Sequence, residues 1–145
     1  MKCVLVHHAE AVGPDVDPQR PLSARGRDQA ERVAQDLRDA GVVPAAIWHS
    51  GKLRARQTAE TCLRVCNPFA EFRMIRGLRS EDPPDWVRDE LATESRDILL
   101  VGHMPHIRRL AVLLAPGADV PLHGATTFER QEDGTWRALE DAPRD

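Results

Sequence analysis

The sequence has few cysteines, and none of them has the spacing of a metal or redox motif. Cys3, Cys62 and Cys66 are odd in number, and the last two lie four residues apart in a segment with helical periodicity. Zinc sites and thioredoxin-like redox centres use a CxxC spacing, which is missing here. We therefore expect three reduced structural thiols, with no disulfide framework and no cysteine-based metal or redox site.

Long apolar runs and an excess of one charge are also missing. No stretch approaches the ~18 apolar residues of a membrane helix, and the first residues lack the regions of a signal peptide. Twenty Lys and Arg against 23 Asp and Glu give a net charge of −3, and the two signs are interspersed. These features indicate neither a nucleic-acid partner nor a membrane segment. We expect a cytoplasmic protein.

The 145 residues suit one domain, because no long linker divides them. Residues 1–140 are expected to form that domain, and residues 141–145 a frayed tail. A domain of this size buries enough surface to fold without a disulfide or a structural metal.

Short apolar segments alternate along the chain with segments of helical periodicity. This alternation predicts an α/β fold of three layers, with a mostly parallel central sheet and helices on both faces. Strands are expected at residues 4–6, 44–50, 71–75 and 97–103. Helices are expected from the Ser23 cap to Gly41, at residues 51–66, in the segment that ends at Leu91, and at residues 105–114. A terminal hairpin is expected at residues 124–139, with its turn at Asp133 and Gly134.

Histidines follow several of the predicted strands. His7 and His8 end the first strand, His49 lies at the end of the second, and His103 follows "DILLVG". In open α/β sheets ligands bind beyond the carboxyl ends of the strands. The sequence therefore predicts a crevice with histidines from three strand ends.

Arginine beside these histidines favours phosphate as the ligand. Arg54 lies in the first turn of the second predicted helix, where free N–H groups and the helix dipole already favour an anion. Its guanidinium can hold phosphate through two hydrogen bonds. Zinc is a weaker hypothesis, because His7 and His8 occupy successive strand positions and are expected to point to opposite faces.

Four ordered motifs resemble the histidine phosphatase superfamily, which shares its fold class with phosphoglycerate mutases. "LVHHAEA" is similar to its "RHG" signature, and "RPLSARGRDQAERVAQDL" to the segment that follows it. "HSGKLRARQTAE" is similar to its "S-P-x-x-R-A-x-Q-T" motif, and "ILLVGHMPHI" to the strand that carries its second histidine. The short chain without a large lid insertion is most similar to the small SixA-type phosphohistidine phosphatases.

The resemblance implies a covalent mechanism that requires no metal and no cofactor. His8 would be the nucleophile, and Arg54 and His103 would bind the equatorial phosphate oxygens, with Arg20 as an outer clamp. The general acid would come from "GLRSEDPPDW", where Glu81 is our first candidate and Asp82 the second. The expected partner is a phosphorylated protein, such as a histidine-containing phosphocarrier or phosphotransfer domain, or alternatively a small phosphate ester. The oligomeric state stays open.

One residue departs from the family pattern at a position that matters. His7 stands where the signature has arginine. An arginine guanidinium is always charged and has five N–H donors, whereas a histidine imidazole has only two ring nitrogens. A catalytically impaired phosphate-binding or regulatory domain is therefore a third alternative. If His7 protonates beside phosphate, we expect activity to rise towards mild acid. Ser50 either caps the second helix or donates to phosphate, and we favour the cap. His49 and His123, which match no motif, are expected to be structural.

Overall fold

The computed structural model describes residues 1–139, and within them the sheet has six strands in the order β3-β2-β4-β1-β5-β6. β1 pairs with β4, β4 with β2 and β2 with β3 in parallel, whereas β5 runs antiparallel to both β1 and β6. The elements are β1 (Lys2–His7), α1 (Ala24–Asp39), β2 (Ala46–His49), α2 (Leu53–Cys66), β3 (Glu71–Met74), α3 (Asp85–Thr93), β4 (Ile98–Gly102), α4 (His106–Leu114), β5 (Ala125–Arg130) and β6 (Trp136–Ala138).

The central strands are buried on both faces, which explains their unbroken apolar character. In β1, Cys3 and Leu5 join the core on the side of α3 and α4, whereas Val4 and Val6 join the core on the side of α1 and α2. Side chains alternate between the faces of a strand, so a parallel strand covered by helices on both sides has to be apolar at every position. This arrangement is the predicted three-layer α/β fold.

Helix α1 begins and ends as its sequence indicates. The Ser23 hydroxyl accepts the Gly26 N–H at 3.0 Å, and the chain leaves the helix through Gly41 at a φ of +85°. Gly26 has a second purpose, because a Cβ at this position would lie 1.9 Å from the Glu10 carbonyl oxygen. The glycine lets α1 approach the loop that follows β1, and this loop is part of the site described below.

The predicted elements are all present, with ends that differ by a few residues. The hairpin forms with Gly134 at a φ of +87°. The three cysteines are buried and unbridged, and burial raises the pKa of the Cys62 thiol above its ordinary range. No helix within residues 1–139 is long and apolar enough to cross a membrane. The predicted tail at 141–145 lies outside the described residues.

Candidate active site

The carboxyl ends of β1, β2 and β4 meet at one edge of the sheet and bring two of the predicted histidines together. The rings of His8 and His103 lie 4.9 Å apart, inclined by 56°. His49 does not join them: its ring packs 5.0 Å from Phe72, and its Nδ1 accepts the Gly51 N–H at 3.1 Å. The crevice therefore contains histidines from β1 and β4, and β2 contributes Ser50 instead.

His8 is held in the tautomer that has its proton on Nδ1 and leaves Nε2 unprotonated. Its Nδ1 lies 2.7 Å from the Ala9 carbonyl oxygen, which can only accept, so Nδ1 carries the proton and Nε2 keeps its lone pair. Burial lowers the pKa of His8 to about 4, against the raising effect of the Ala9 bond, and the Arg54 charge lowers it further. At neutral pH this imidazole is uncharged and nucleophilic at Nε2.

Helix α2 fixes the backbone on both sides of the crevice. Thr58 Oγ1 accepts the Ala9 N–H at 3.0 Å and donates to the Arg54 carbonyl at 2.9 Å. One turn of the same helix also supplies Gln57, whose Oε1 accepts the Leu22 N–H at 2.7 Å. The motif "RARQT" thus combines an arginine in the site with two side chains that hold the loops around it.

Two arginines face the crevice without an acidic partner. None of the ion pairs within residues 1–139 includes Arg20 or Arg54. The Arg54 Nε is buried and has no hydrogen-bond partner there, and burial together with the Arg20 charge lowers the Arg54 pKa. A bound anion would accept a hydrogen bond from the Arg54 Nε–H and would reduce the repulsion between the two guanidinium groups.

Arg20 reaches the site from the loop between β1 and α1. Its backbone has a φ of +51°, which is uncommon for a residue other than glycine. Its Nε donates to the Val12 carbonyl at 3.0 Å, and its charge lowers the pKa of His8. The structure therefore brings Arg20 to the crevice together with Arg54, His8 and His103.

His103 is buried and engages Ser50. Its Nε2 lies 2.6 Å from the Ser50 Oγ, which also accepts the Lys52 N–H at 3.3 Å. Burial lowers the pKa of His103 to about 3, and the neighbouring His8 and Arg54 lower it further. The expectation that Ser50 caps α2 is wrong, because the N-cap position is Lys52 and the Ser50 hydroxyl is committed to His103.

The rings of His7 and His8 do not point to opposite faces. They lie 4.5 Å apart, because β1 ends at His7 and the alternation of a strand no longer applies to His8. His7 Nδ1 accepts the backbone N–H of His123 at 2.8 Å, so the proton of this neutral ring is on Nε2. Burial lowers the His7 pKa to about 3, and the charges of His8, His123, Arg108 and Arg54 act in the same direction.

This hydrogen bond argues against the expectation that activity rises towards mild acid as His7 becomes protonated. Protonating Nδ1 would replace its acceptor with a donor and break the bond to the His123 N–H. His7 therefore presents one neutral Nε2–H donor at all but strongly acidic pH.

The structure also brings His123 into this cluster, where sequence reasoning did not place it, and the expectation that its role is structural stays a prediction. Its ring stacks on His7 with 4.9 Å between centroids and 11° between planes. Its Nδ1 donates to the His8 carbonyl at 2.8 Å. The sequence contained one signal, an isolated histidine directly before the Gly124 that precedes a predicted strand, but nothing indicated that this strand pairs with β1.

A metal would find two ready ligands in this cluster rather than three. His7, His8 and His123 each place a ring nitrogen within 4.8 Å of the others. His8 and His123 both donate from Nδ1 to a carbonyl, which leaves an Nε2 lone pair of the kind that metals bind. His7 carries its proton on Nε2 and would have to give up its bond to His123 before it could coordinate.

The candidate general acids lie beyond Ser50. Asp82 lines a cavity of about 390 Å³ together with Ser50, and its Oδ2 accepts the Arg79 N–H at 3.0 Å. Glu81 is exposed and is not among the residues that line this cavity. The assignment of Glu81 as the acid stays a prediction, and the geometry favours Asp82.

Comparison with known proteins identifies the lineage of this chain. A family model described as the histidine phosphatase superfamily (branch 1) matches residues 4–99. An uncharacterized protein of Picosynechococcus sp. is 31% identical over 105 residues, which represent 70% of this chain and 63% of that protein. The chain thus spans less than two thirds of this relative's length.

Solved structures show the same fold. The protein histidine phosphatase SixA complexed with tungstate superposes with a TM-score of 0.85 at 22% identity, over 97% of this chain and 95% of the other. A SixA protein from Agrobacterium tumefaciens gives 0.79 at 22% identity, over 99% and 97%. The mycobacterial glucosyl-3-phosphoglycerate phosphatase gives 0.74 at 17% identity, over 95% and 96%. The α/β fold expected from the sequence is confirmed as that of histidine phosphatases.

Proposed function

The chain belongs to the histidine phosphatase superfamily, and on this premise we propose that it is a phosphatase whose His8 forms a covalent phosphohistidine intermediate. The observation that carries this proposal is the state of His8. Its Nδ1–H is bound to the Ala9 carbonyl, and its charge-free Nε2 faces a crevice with two arginines, Arg20 and Arg54, that pair with no acidic residue in the described part of the chain, residues 1–139. A neutral nucleophile beside an unsatisfied anion site is the arrangement that phosphoryl transfer requires.

The reaction divides into two displacements at phosphorus. The Nε2 lone pair of His8 forms the N–P bond while the bond to the leaving group breaks, and the leaving atom takes a proton from a general acid or from solvent. Water then attacks phosphorus, the N–P bond breaks, and its electron pair returns to Nε2 as inorganic phosphate departs. Arg54, Arg20 and His103 stabilise the charge on the equatorial oxygens, and a preorganised donor is commonly worth ~3 kcal/mol.

His7 and the acidic loop complete the proposed machinery. His7 contributes its neutral Nε2–H as a phosphate donor. Glu81 or Asp82 serves as the general acid, with Asp82 better placed because it lines the cavity next to Ser50. When the substrate is phosphohistidine the leaving imidazole departs readily, so this step depends little on the acid. The proposed reaction uses no cofactor and no metal.

We propose phosphohistidine on a protein as the substrate, carried by a phosphocarrier or phosphotransfer domain. A cavity of about 880 Å³ adjoins the site at His123 and extends between α1 and the segment before β5. Its lining combines apolar side chains such as Val33 and Leu122 with Arg25 and Arg32, which suits a polypeptide surface better than a small ester. A cytoplasmic location agrees with the three unbridged thiols.

A small phosphate ester is the second candidate substrate, since a structural relative is named as a glucosyl-3-phosphoglycerate phosphatase. The third candidate is a phosphate-binding domain with impaired catalysis, which the histidine at position 7 favours.

Trapping the intermediate tests the proposal. Brief incubation with ³²P-labelled substrate is expected to leave an acid-sensitive, base-stable label on the wild-type protein and none on His8→Ala. A panel of phosphorylated histidine phosphocarrier protein and sugar phosphates then ranks substrates by kcat/KM, and we expect the phosphoprotein to rank first. His49→Ala is the matched control for losing a histidine at a strand end. Binding without label or phosphate release would contradict the enzymatic proposal and favour the regulatory one.

A further inference from the structure

A cavity of about 390 Å³ lies between the end of β3 and the start of α3, next to the proposed phosphate site. Ser50 belongs to its lining, and the Ser50 hydroxyl also contacts His103 in the crevice. Asp82, the better placed of the two candidate acids, lines the cavity as well. Because a general acid has to reach the atom that it protonates, a leaving group that takes its proton from Asp82 must enter this cavity.

Two large apolar side chains line the same cavity and are open to solvent. The Trp86 residue is 55% exposed and Met74 is 59% exposed. Covering apolar surface of this kind is favourable, and Trp and Met are enriched, together with Arg, where proteins bind one another. These two side chains therefore form a wall against which a flat ring and the aliphatic part of a partner residue can pack.

Each side chain of this wall lies against a glycine with a positive φ. A Cβ on Gly51, which has a φ of +91°, would lie 2.5 Å from the Met74 Sδ. A Cβ on Gly77, which has a φ of +97°, would lie 3.7 Å from the Trp86 Cε3. The family motif has proline where this chain has Gly51, and proline cannot adopt a positive φ. The position of Met74 therefore depends on a residue in which this chain departs from the motif.

The charged residues of the lining favour an acidic occupant. Arg76 and Arg79 are exposed, and neither takes part in an ion pair within residues 1–139. Asp82 brings one negative charge to the lining, and its Oδ2 accepts the Arg79 N–H. The neighbouring carboxylates of Glu81 and Asp85 are not part of the lining. Two guanidinium groups against one carboxylate give the lining a net positive charge, which complements a negatively charged partner.

We propose that this cavity is the leaving-group site and that it selects phosphohistidine flanked by acidic residues of a protein. The imidazole of the substrate packs against Trp86 and Met74, and a neighbouring Asp or Glu of the substrate binds Arg76 and Arg79. The larger cavity at His123 is left for a more distant part of the same partner. This inference rests on the proposed function, since it defines the chemistry of the phosphoprotein that the site accepts.

Peptides that carry a stable phosphohistidine analogue test the proposal, because their binding can be measured whether or not the chain hydrolyses its substrate. Two fluorescein-labelled peptides contain a triazolylphosphonate in place of phosphohistidine and differ only in having Glu or Gln on both sides of it. We expect fluorescence anisotropy to show that the wild-type protein binds the Glu peptide about fivefold more tightly. The double variant Arg76→Gln with Arg79→Gln should bind both peptides equally. The double variant Arg64→Gln with Arg137→Gln is the control, because it removes the same charge from exposed arginines elsewhere and should keep the preference.

The apolar wall is tested by Trp86→Ala. This variant should bind both peptides about tenfold more weakly than the wild type. Its affinity for tungstate, measured by calorimetry, should not change, because tungstate has no leaving group to occupy the cavity. Phe69→Ala is the matched control, since Phe69 is an aromatic residue with 94% exposure outside the cavity lining, and it should match the wild type with both probes.

Equal affinity of the wild-type protein for the two peptides would overturn the proposal, as would a preference for Glu that survives the loss of Arg76 and Arg79. Unchanged peptide affinity in Trp86→Ala would also overturn it. So would weaker tungstate binding in that variant, because Trp86 would then act on the phosphate site rather than on the leaving group. Urea midpoints of the variants confirm that folded proteins are compared. Failure of the proposed function is seen separately, as wild-type protein that acquires no label on His8 while it still prefers the Glu peptide.

Discussion

At the scale of single residues, the site depends on which nitrogen of each histidine carries a proton. His8 donates from Nδ1 to Ala9 and His7 accepts at Nδ1 from His123, so neighbouring rings present opposite functions at Nε2. One presents a lone pair for attack on phosphorus, and the other a donor for a phosphate oxygen. Backbone groups alone set this difference, because both rings stay uncharged at neutral pH.

Replacing the neutral donor at position 7 by a charged one should strengthen phosphate binding. Tungstate is charged in both cases, so the gain comes from the guanidinium, which adds a full positive charge and a second donor for a bidentate bond. We therefore expect His7→Arg to bind tungstate about tenfold more tightly. Its pH profile of affinity should keep the wild-type shape, since His7 does not titrate near neutral pH. His7→Gln is the control, because its amide offers both an acceptor and a neutral donor. Equal tungstate affinity in His7→Arg and wild type would place His7 outside the phosphate shell.

At the scale of elements, α2 connects the nucleophile loop to the anion site through one buried hydroxyl. Thr58 accepts the Ala9 N–H and donates to the Arg54 carbonyl. Thr58→Val keeps the shape and removes the acceptor, and an unsatisfied buried N–H costs ~1–3 kcal/mol. We expect a lower urea midpoint together with slower labelling of His8, because Ala9 also fixes the His8 tautomer.

Thr58→Ser is the matched control, since it retains the hydroxyl and loses only a methyl group. It should label His8 at nearly the wild-type rate. If the valine variant labels as fast as the serine variant, the contact between α2 and Ala9 has no bearing on the nucleophile.

The order and type of the elements could be read from the sequence, because each central strand is apolar throughout and each helix has a regular apolar face. The sequence also predicts that His8, Arg54 and His103 lie close together, because parallel strands end at the same edge of the sheet. The position of His123 could not be derived in this way. It depends on the antiparallel pairing of β5 with β1. These strands are far apart in the sequence, and local sequence patterns do not predict that they pair. The orientation of His7 was missed for a related reason, because its partner is the backbone of that same distant segment.

At the scale of the whole molecule, several imidazoles are folded into low-dielectric surroundings in the neutral state. Burial is the main cause that lowers the pKa to about 3 for His7 and His103 and to about 4 for His8. In the unfolded chain the same rings titrate near ~6.5. The unfolded state therefore binds more protons than the folded state between these values, and the free energy of unfolding must fall as the pH falls through this window.

The expected acid sensitivity is large and belongs to the active site rather than to the carboxylates. Each ring contributes ~1.4 kcal/mol per pH unit below its unfolded pKa, so the stability of the protein should decline by several kcal/mol between pH 6.5 and pH 5, before most carboxylates titrate. Urea unfolding at a series of pH values measures this decline, and His103→Gln, which removes one titrating ring, should reduce its slope by about 1.4 kcal/mol per pH unit. A urea midpoint that stays constant over this window would show that these rings ionise in the folded protein, and the neutral nucleophile assigned to His8 would lose its basis.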